Sequence, residues 1–271
     1  MESNIDGFIT YLRNTKKISE NTEMSYRGDL MKAKRYMEEQ GIRDVKKITS
    51  TNLNSYILHL EKNKFSTATI SRNIASLKAF YSYLYKENIV RENAAETLRA
   101  PKIERKAPEI LSVEETERLM EQPLGDNIKE IRDKAMLELL YATGIRVTEL
   151  VSLKADDLNL KMGYIVCRDG ERERVIPFGE RAGEALARYL GEAREKMTSA
   201  AETEYLFVNC SGQAMSRQGF WKLVKLYAGK ANITKDITPQ TLRNSFVAHL
   251  LENGADWQTV LCRYKGYSPR I

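Results

Sequence analysis

Between Ala100 and Pro108 the chain loses the helical spacing that runs through everything before it. Ala100-Pro101-Lys102-Ile103-Glu104-Arg105-Lys106-Ala107-Pro108 holds two prolines, three basic side chains and little apolar content. Proline fixes φ and removes a backbone donor, so neither a helix nor a central strand runs through such a stretch. Residues 99–110 therefore read as a linker, and the chain divides into residues 1–98 and residues 111–271. A length of 271 residues suits two ordinary domains.

The first part reads as four helices. Ile5, Phe8, Ile9 and Leu12 have helical spacing. A second helix is expected from about Ser19 to Glu39, with Ser19 as N-cap and Gly41 as stop. A third runs from about Ser50 to Lys62. A fourth, about Ser66 to Glu87, lines up Ile70, Ile74, Leu77, Phe80, Tyr81 and Leu84 on one face. No strand pattern interrupts them, which predicts a helical bundle.

The second part opens on Ser112-Val113-Glu114-Glu115, a capping box. A helix over about Asp126 to Tyr141 stops at Thr143-Gly144, and another begins near Val147. The period then changes. Tyr164–Cys167 and Arg174–Pro177 read as strands around Arg168-Asp169-Gly170-Glu171, and Tyr205–Val208 reads as a third. Helix returns over about Glu180 to Lys196, from Ser216 through Tyr227, and from Thr238-Pro239 to Asn253-Gly254. The fold class is mainly α, with a small three-stranded β-sheet in the second part.

The composition, 42% hydrophobic and 30% charged, is that of a globular chain. No run of about eighteen apolar residues is available to span a membrane. The N-terminus has no basic segment followed by an apolar one, so no secretory signal is expected. Cys167, Cys210 and Cys262 are scattered, without a disulfide framework or metal spacing. A reducing cytoplasm and no metal follow as expectations. Lys and Arg exceed Asp and Glu by 6 overall, yet residues 1–106 are net +7 and the remainder net −1. A basic domain attracts polyanions, although lysine-rich surfaces also serve solubility alone.

Two arginines stand out by context. Arg146 lies in Ala142-Thr143-Gly144-Ile145-Arg146-Val147-Thr148-Glu149-Leu150, and Arg243 in Thr238-Pro239-Gln240-Thr241-Leu242-Arg243-Asn244-Ser245-Phe246. Either alone reads as a solvated or ion-paired surface group. Together with the hairpin ending Glu173-Arg174-Val175-Ile176-Pro177 and with His249-Leu250-Leu251-Glu252-Asn253-Gly254-Ala255-Asp256, they resemble the tyrosine recombinases. The similarity is to Xer-type enzymes and related phage and transposon integrases, from about residue 3 to about 260.

That resemblance implies a SAM-like core-binding domain and a mostly helical catalytic domain closing as a C-shaped clamp on duplex DNA. It implies tetramers, formed with itself or with related recombinases, on paired sites. It also implies a tyrosine that attacks a DNA phosphate without cofactor, and two arginines (here Arg146 and Arg243) that hold the phosphate. The basic linker side chains Lys102, Arg105 and Lys106, with Arg172 of the hairpin, are the expected DNA contacts. Guanidiniums suit the pentacoordinate transition state, because their fork meets two oxygens at once.

The same resemblance exposes departures. Asp169 stands where the family has a general-acid lysine, and an anion there repels the phosphate instead of protonating a leaving oxygen. Arg172 is close by but stays protonated. Gln240 and Asn244 replace histidines of the family pattern. His249, among apolar neighbours, matches a position outside the catalytic set, and His59 has no partner. The sequence stops 28 residues after Arg243, before the family's nucleophile is expected. Tyr264 and Tyr267 are available hydroxyls without its context. The lost periodicity after Val260 reads as a truncated or frameshifted tail. The expectations are a strand-exchange enzyme impaired in this chain or, alternatively, a non-catalytic DNA-binding descendant such as a repressor or accessory factor. A helical interaction module unrelated to DNA fits the basic N-terminal part poorly.

Overall fold

A computed structural model describes residues 1–102, 108–169, 172–198, 203–256 and 258. The chain forms two compact units, Met1–Arg105 and Lys106–Ile271. Among the described residues no helix is long and apolar enough to cross a membrane.

The first unit contains α1 (Glu2–Lys16), α2 (Glu20–Glu39), α3 (Ser50–Lys62) and α4 (Thr67–Lys86). Side chains set their starts. Ser19 Oγ accepts the Thr22 N–H at 3.3 Å, Thr49 and Asn52 cap each other's backbone, and Ser66 Oγ accepts the Thr69 N–H. Each cap satisfies a donor that a helix start leaves orphaned. At the end of α2, Gly41 has φ 76°, the left-handed stop that glycine adopts without strain. A short 3₁₀ turn at Val45–Lys47 follows, capped by Asp44. The apolar faces meet in one core built on Ile5, Phe8, Leu30, Met37, Tyr56, Leu77, Phe80 and Leu84, all at most 1% exposed. Phe8 meets Phe80 edge to face, with centroids 5.5 Å apart.

The second unit begins with α5 (Val113–Glu121), where Ser112 and Glu115 form the expected capping box. It continues with α6 (Ile128–Thr143) and α7 (Val147–Ser152). Strands β1 (Leu158–Asn159), β2 (Tyr164–Asp169) and β3 (Arg172–Pro177) make an antiparallel sheet in sequence order. Ile165 and Cys167 turn inward, 0% and 1% exposed, while Val175 stays 65% exposed. This is the period-2 alternation of a half-buried sheet. Next come α8 (Glu180–Arg188), a π-helical stretch (Tyr189–Arg194), α9 (Glu195–Thr198), α10 (Arg217–Lys230) and α11 (Pro239–Glu252).

Two elements differ from the sequence reading. The third strand is Leu158–Asn159, not Tyr205–Val208. Two residues are too few to show alternation, whereas Leu206-Phe207-Val208 reads as a buried strand because all three are 0% exposed. That run instead has its backbone satisfied piecemeal. Leu206 N–H donates to Leu153 O at 2.7 Å, Phe207 O accepts the Met215 N–H, and Arg132 donates to Val208 O.

The second difference is the π stretch inside the expected Glu180–Lys196 helix. It places Tyr189 and Arg194 on one acceptor: Tyr189 Oη and Arg194 Nε both donate to Leu206 O, at 2.9 and 3.2 Å. On a regular α-helix, residues five apart point about 140° away from each other. The wider π turn brings them closer.

Candidate active site

Gly144 sets the local geometry. It ends α6 with φ 57° and its N–H returns to Leu140 O at 2.8 Å. The chain can therefore reverse and start α7 after only Ile145 and Arg146. Arg146 is the N-cap of α7, in extended conformation. Its backbone N–H donates to Glu149 Oε2 at 2.7 Å, and its guanidinium lies 3.5 Å from Glu149 Oε1. The Glu149 side chain is 8% exposed, while that of Arg146 is 45% exposed. The carboxylate thus anchors the arginine from below, leaving the guanidinium on the surface.

β3 brings a second cation to the same anchor. Arg174 lies opposite Cys167 in the ladder and its Nη2 donates to Glu149 Oε1. Burial pushes the Cys167 thiol up to about 12, and the Glu149 charge adds to that shift. Cys167 is therefore a packing residue, held as a thiol.

α11 supplies Arg243. Thr238 Oγ1 accepts the Thr241 N–H at 3.2 Å and Pro239 occupies the first turn, which fixes the helix start. Arg243 is 6% exposed, and its Nη1 donates to Gly144 O. The two arginines singled out in the sequence thus meet at one turn. One reaches into it from α11, and the other leaves it two residues later. The rest of α11 is fixed by Ser245, whose Oγ accepts the Leu111 N–H at 2.8 Å, and by His249. His249 Nε2 lies 3.0 Å from Leu111 O, and Nδ1 2.7 Å from Tyr141 Oη. Both ring nitrogens are committed to packing contacts.

Gln240 lies one turn before Arg243 and is exposed. Its Nε2 donates to Asn244 Oδ1 at 2.9 Å, so the two side-chain amides are bonded to each other. Asp169 and Arg172 face each other in the β2–β3 ladder, and their side chains lie outside the described residues. Lys102 is exposed in the first unit. Arg105, Lys106, Tyr264 and Tyr267 lie outside the described residues.

Sequence reasoning missed Glu149 and Arg174. The available signal was Arg146-x-x-Glu149, the spacing of an N-cap and its third helical residue. Nothing in the sequence places Arg174 on the same carboxylate. That juxtaposition needs the sheet. The assembled site holds two guanidiniums, Arg146 and Arg174, on the buried Glu149 carboxylate, with Arg243 bonded to the adjoining Gly144 carbonyl, and guanidiniums are donors suited to a tetrahedral oxyanion.

The phage integrase family matches residues 109–264, and the phage integrase N-terminal SAM-like domain matches residues 5–88. Tyrosine recombinase XerD of Oceanobacillus iheyensis is 42% identical over 263 residues, covering 96% of this chain and 88% of that protein. A putative tyrosine recombinase of Caldanaerobacter subterraneus, TTE1313, is also 42% identical, with the same coverage. The crystal structure of XerA recombinase is 26% identical, with a TM-score of 0.52, covering 98% of this chain and 90% of that one. The XerH recombinase in a post-cleavage complex with a palindromic difH substrate has a TM-score of 0.76 at 21% identity, covering 99% of this chain and 78% of that one. At that identity the likeness speaks for the fold. With both units matched and relatives at this identity along nearly the whole chain, this protein is a member of the tyrosine recombinase family, of the Xer type.

Proposed function

We propose that the chain binds duplex DNA and positions a scissile phosphate on Arg146 and Arg243, with strand cleavage slowed by Gln240 and Asp169. The observation that carries this reading is the bond from Arg243 Nη1 to Gly144 O, which ties the α11 arginine to the turn that presents Arg146. Two guanidiniums at one turn offer donors to the non-bridging oxygens of a phosphodiester, where negative charge accumulates as a nucleophile enters. In the family reaction a tyrosine oxygen attacks phosphorus, the phosphotyrosyl bond forms, and the 5′-oxygen leaves with a proton.

Proton transfer is the weak step here. A glutamine at position 240 neither gives nor takes a proton near neutral pH. An aspartate at position 169 adds negative charge to the hairpin. Loss of one positioned acid or base costs about 10²–10⁴ in rate. Lys102, Arg105, Lys106 and Arg172 are the further DNA contacts in this reading. DNA-bound tetramers with itself or a related recombinase, and a cytoplasmic location, belong to it as well.

A second reading, a DNA-binding protein without strand cleavage, draws on the Gln240–Asn244 amide pair, which leaves no titratable group at either position. Incubation with nicked duplex DNA tests both. Native gels are expected to show a shift that weakens with salt. Denaturing gels are expected to show little covalent adduct; an adduct abolished by Tyr264→Phe or Tyr267→Phe supports the first reading, and none at all supports the second. No shift at low salt overturns both.

A further inference from the structure

In the first unit, α2 has two unlike flanks. Toward α1 its charges are paired: Glu23 with Arg13 at 2.7 Å, Arg27 with Asp6 at 2.6 Å, and Lys34 with Glu2 at 3.0 Å, Lys34 also meeting Glu38 of α2 itself at 3.3 Å. Toward α4 the charges are left positive. Lys32 stacks over the Phe65 ring at 4.6 Å, and among the described residues neither Lys32 nor Arg35 has a carboxylate within ion-pair distance. On the same helix Asp29 is 3% exposed and bonds to α4.

Asp29 is wholly occupied. Its Oδ2 accepts from Arg72 Nε at 2.8 Å and Ser76 Oγ at 3.1 Å. Its Oδ1 accepts from Arg72 Nη2 at 2.8 Å and Asn73 Nδ2 at 3.1 Å. Tyr56 Oη in turn donates to Asn73 Oδ1 at 2.8 Å. The Arg72 side chain, by contrast, is 48% exposed. Asp29 takes only its Nε–Nη2 edge, which fixes the rotamer, and among the described residues no hydrogen bond involves Nη1. Gly28, beside Asp29, has nothing within 4 Å of where a Cβ would stand, and Ala68 and Ala75 flank Arg72 on the exposed side of α4.

We propose that Arg72 is a DNA-backbone contact of the first unit and that Asp29 is its positioning residue: the buried carboxylate holds one edge of the guanidinium so that the other meets a phosphate. This rests on the DNA-binding reading above. A free arginine loses rotamer entropy when it binds, whereas one already locked by a buried partner loses little. A buried carboxylate serving only to join α2 to α4 has no need of a half-exposed partner, and an apolar contact does that task as well.

The test uses the full chain and a labelled duplex of about 30 base pairs, titrated at several salt concentrations. Arg72→Gln is expected to weaken binding about eightfold near 0.1 M salt and to lower the log–log salt slope by about 0.9, one phosphate's share. Asp29→Asn removes a negative charge and raises the net charge by one, so an undifferentiated basic surface would bind DNA more tightly. The expected result is the reverse, a loss of at least about twofold, since the fork is no longer held. If Asp29→Asn fails to fold by circular dichroism, Arg72→Lys decides: it keeps the charge without the fork, and weaker binding is expected. Wild-type affinity and slope in folded Arg72→Gln, tighter binding by Asp29→Asn, or unchanged binding by Arg72→Lys overturns the proposal. If the wild-type chain itself fails to bind, it is the DNA-binding reading that falls.

Discussion

Tyr81 and Cys167 show how single buried groups set local chemistry. Tyr81 is 0% exposed in the first core, and among the described residues its hydroxyl has no hydrogen-bond partner. Burial raises its pKa, so the group stays neutral but remains unsatisfied. Tyr81→Phe keeps the ring and removes the orphaned oxygen, and about 1 kcal/mol of added stability is expected. Thermal melting checks it, and a lower midpoint refutes it. Cys167 gives a pH prediction. Its folded thiol is pushed up to about 12 from an ordinary 9.0. An acid raised on folding stabilises fully below its unfolded pKa and loses that contribution as pH rises through the folded one. The Cys167 contribution is therefore intact below about pH 9 and fades toward 12. At pH 8 a thiol reagent is expected to modify exposed Cys210 and to reach Cys167 only after unfolding, which mass spectrometry of the two peptides resolves.

At the scale of elements, turns decide where the chemistry sits. Gly144 closes α6 at φ 57° and offers its carbonyl to Arg243. Gly144→Ala forces a Cβ into a left-handed conformation, and a loss of about 1 kcal/mol is expected in urea or thermal unfolding. Helices were legible because Ser19, Ser66, Ser112 and Thr238 open segments whose apolar residues recur at helical spacing. Strand β1 was not legible, because at two residues it takes its identity from pairing with Ile165 and Tyr164. Tyr205–Val208 misled for the opposite reason. Burial from all sides gives the same apolar run as a central strand. In the candidate site, Arg146 and Arg243 were readable from their flanking motifs. Glu149 was not, since a glutamate three residues after an arginine looks like any surface pair until the fold buries it.

Across the whole molecule, the two units differ in both charge and core. Residues 1–105 carry a net +6 and the rest a net charge of 0. One apolar core runs from Ile5 to Leu98 in sequence, and another from Leu111 to Leu242, with no buried residue in common. A unit with its own core can lose that core without exposing the other, so thermal unfolding is expected in two transitions. The substitutions above assign them. Tyr81→Phe lies in the first core and should raise one midpoint by about 4–8 °C, the shift that about 1 kcal/mol makes in a domain near 100 residues. Gly144→Ala lies in the second unit and should lower the other midpoint by about 2–4 °C, as befits a larger domain. Calorimetry of the full chain with each variant reads both shifts. A single transition that both substitutions move would mean that the units unfold as one cooperative body.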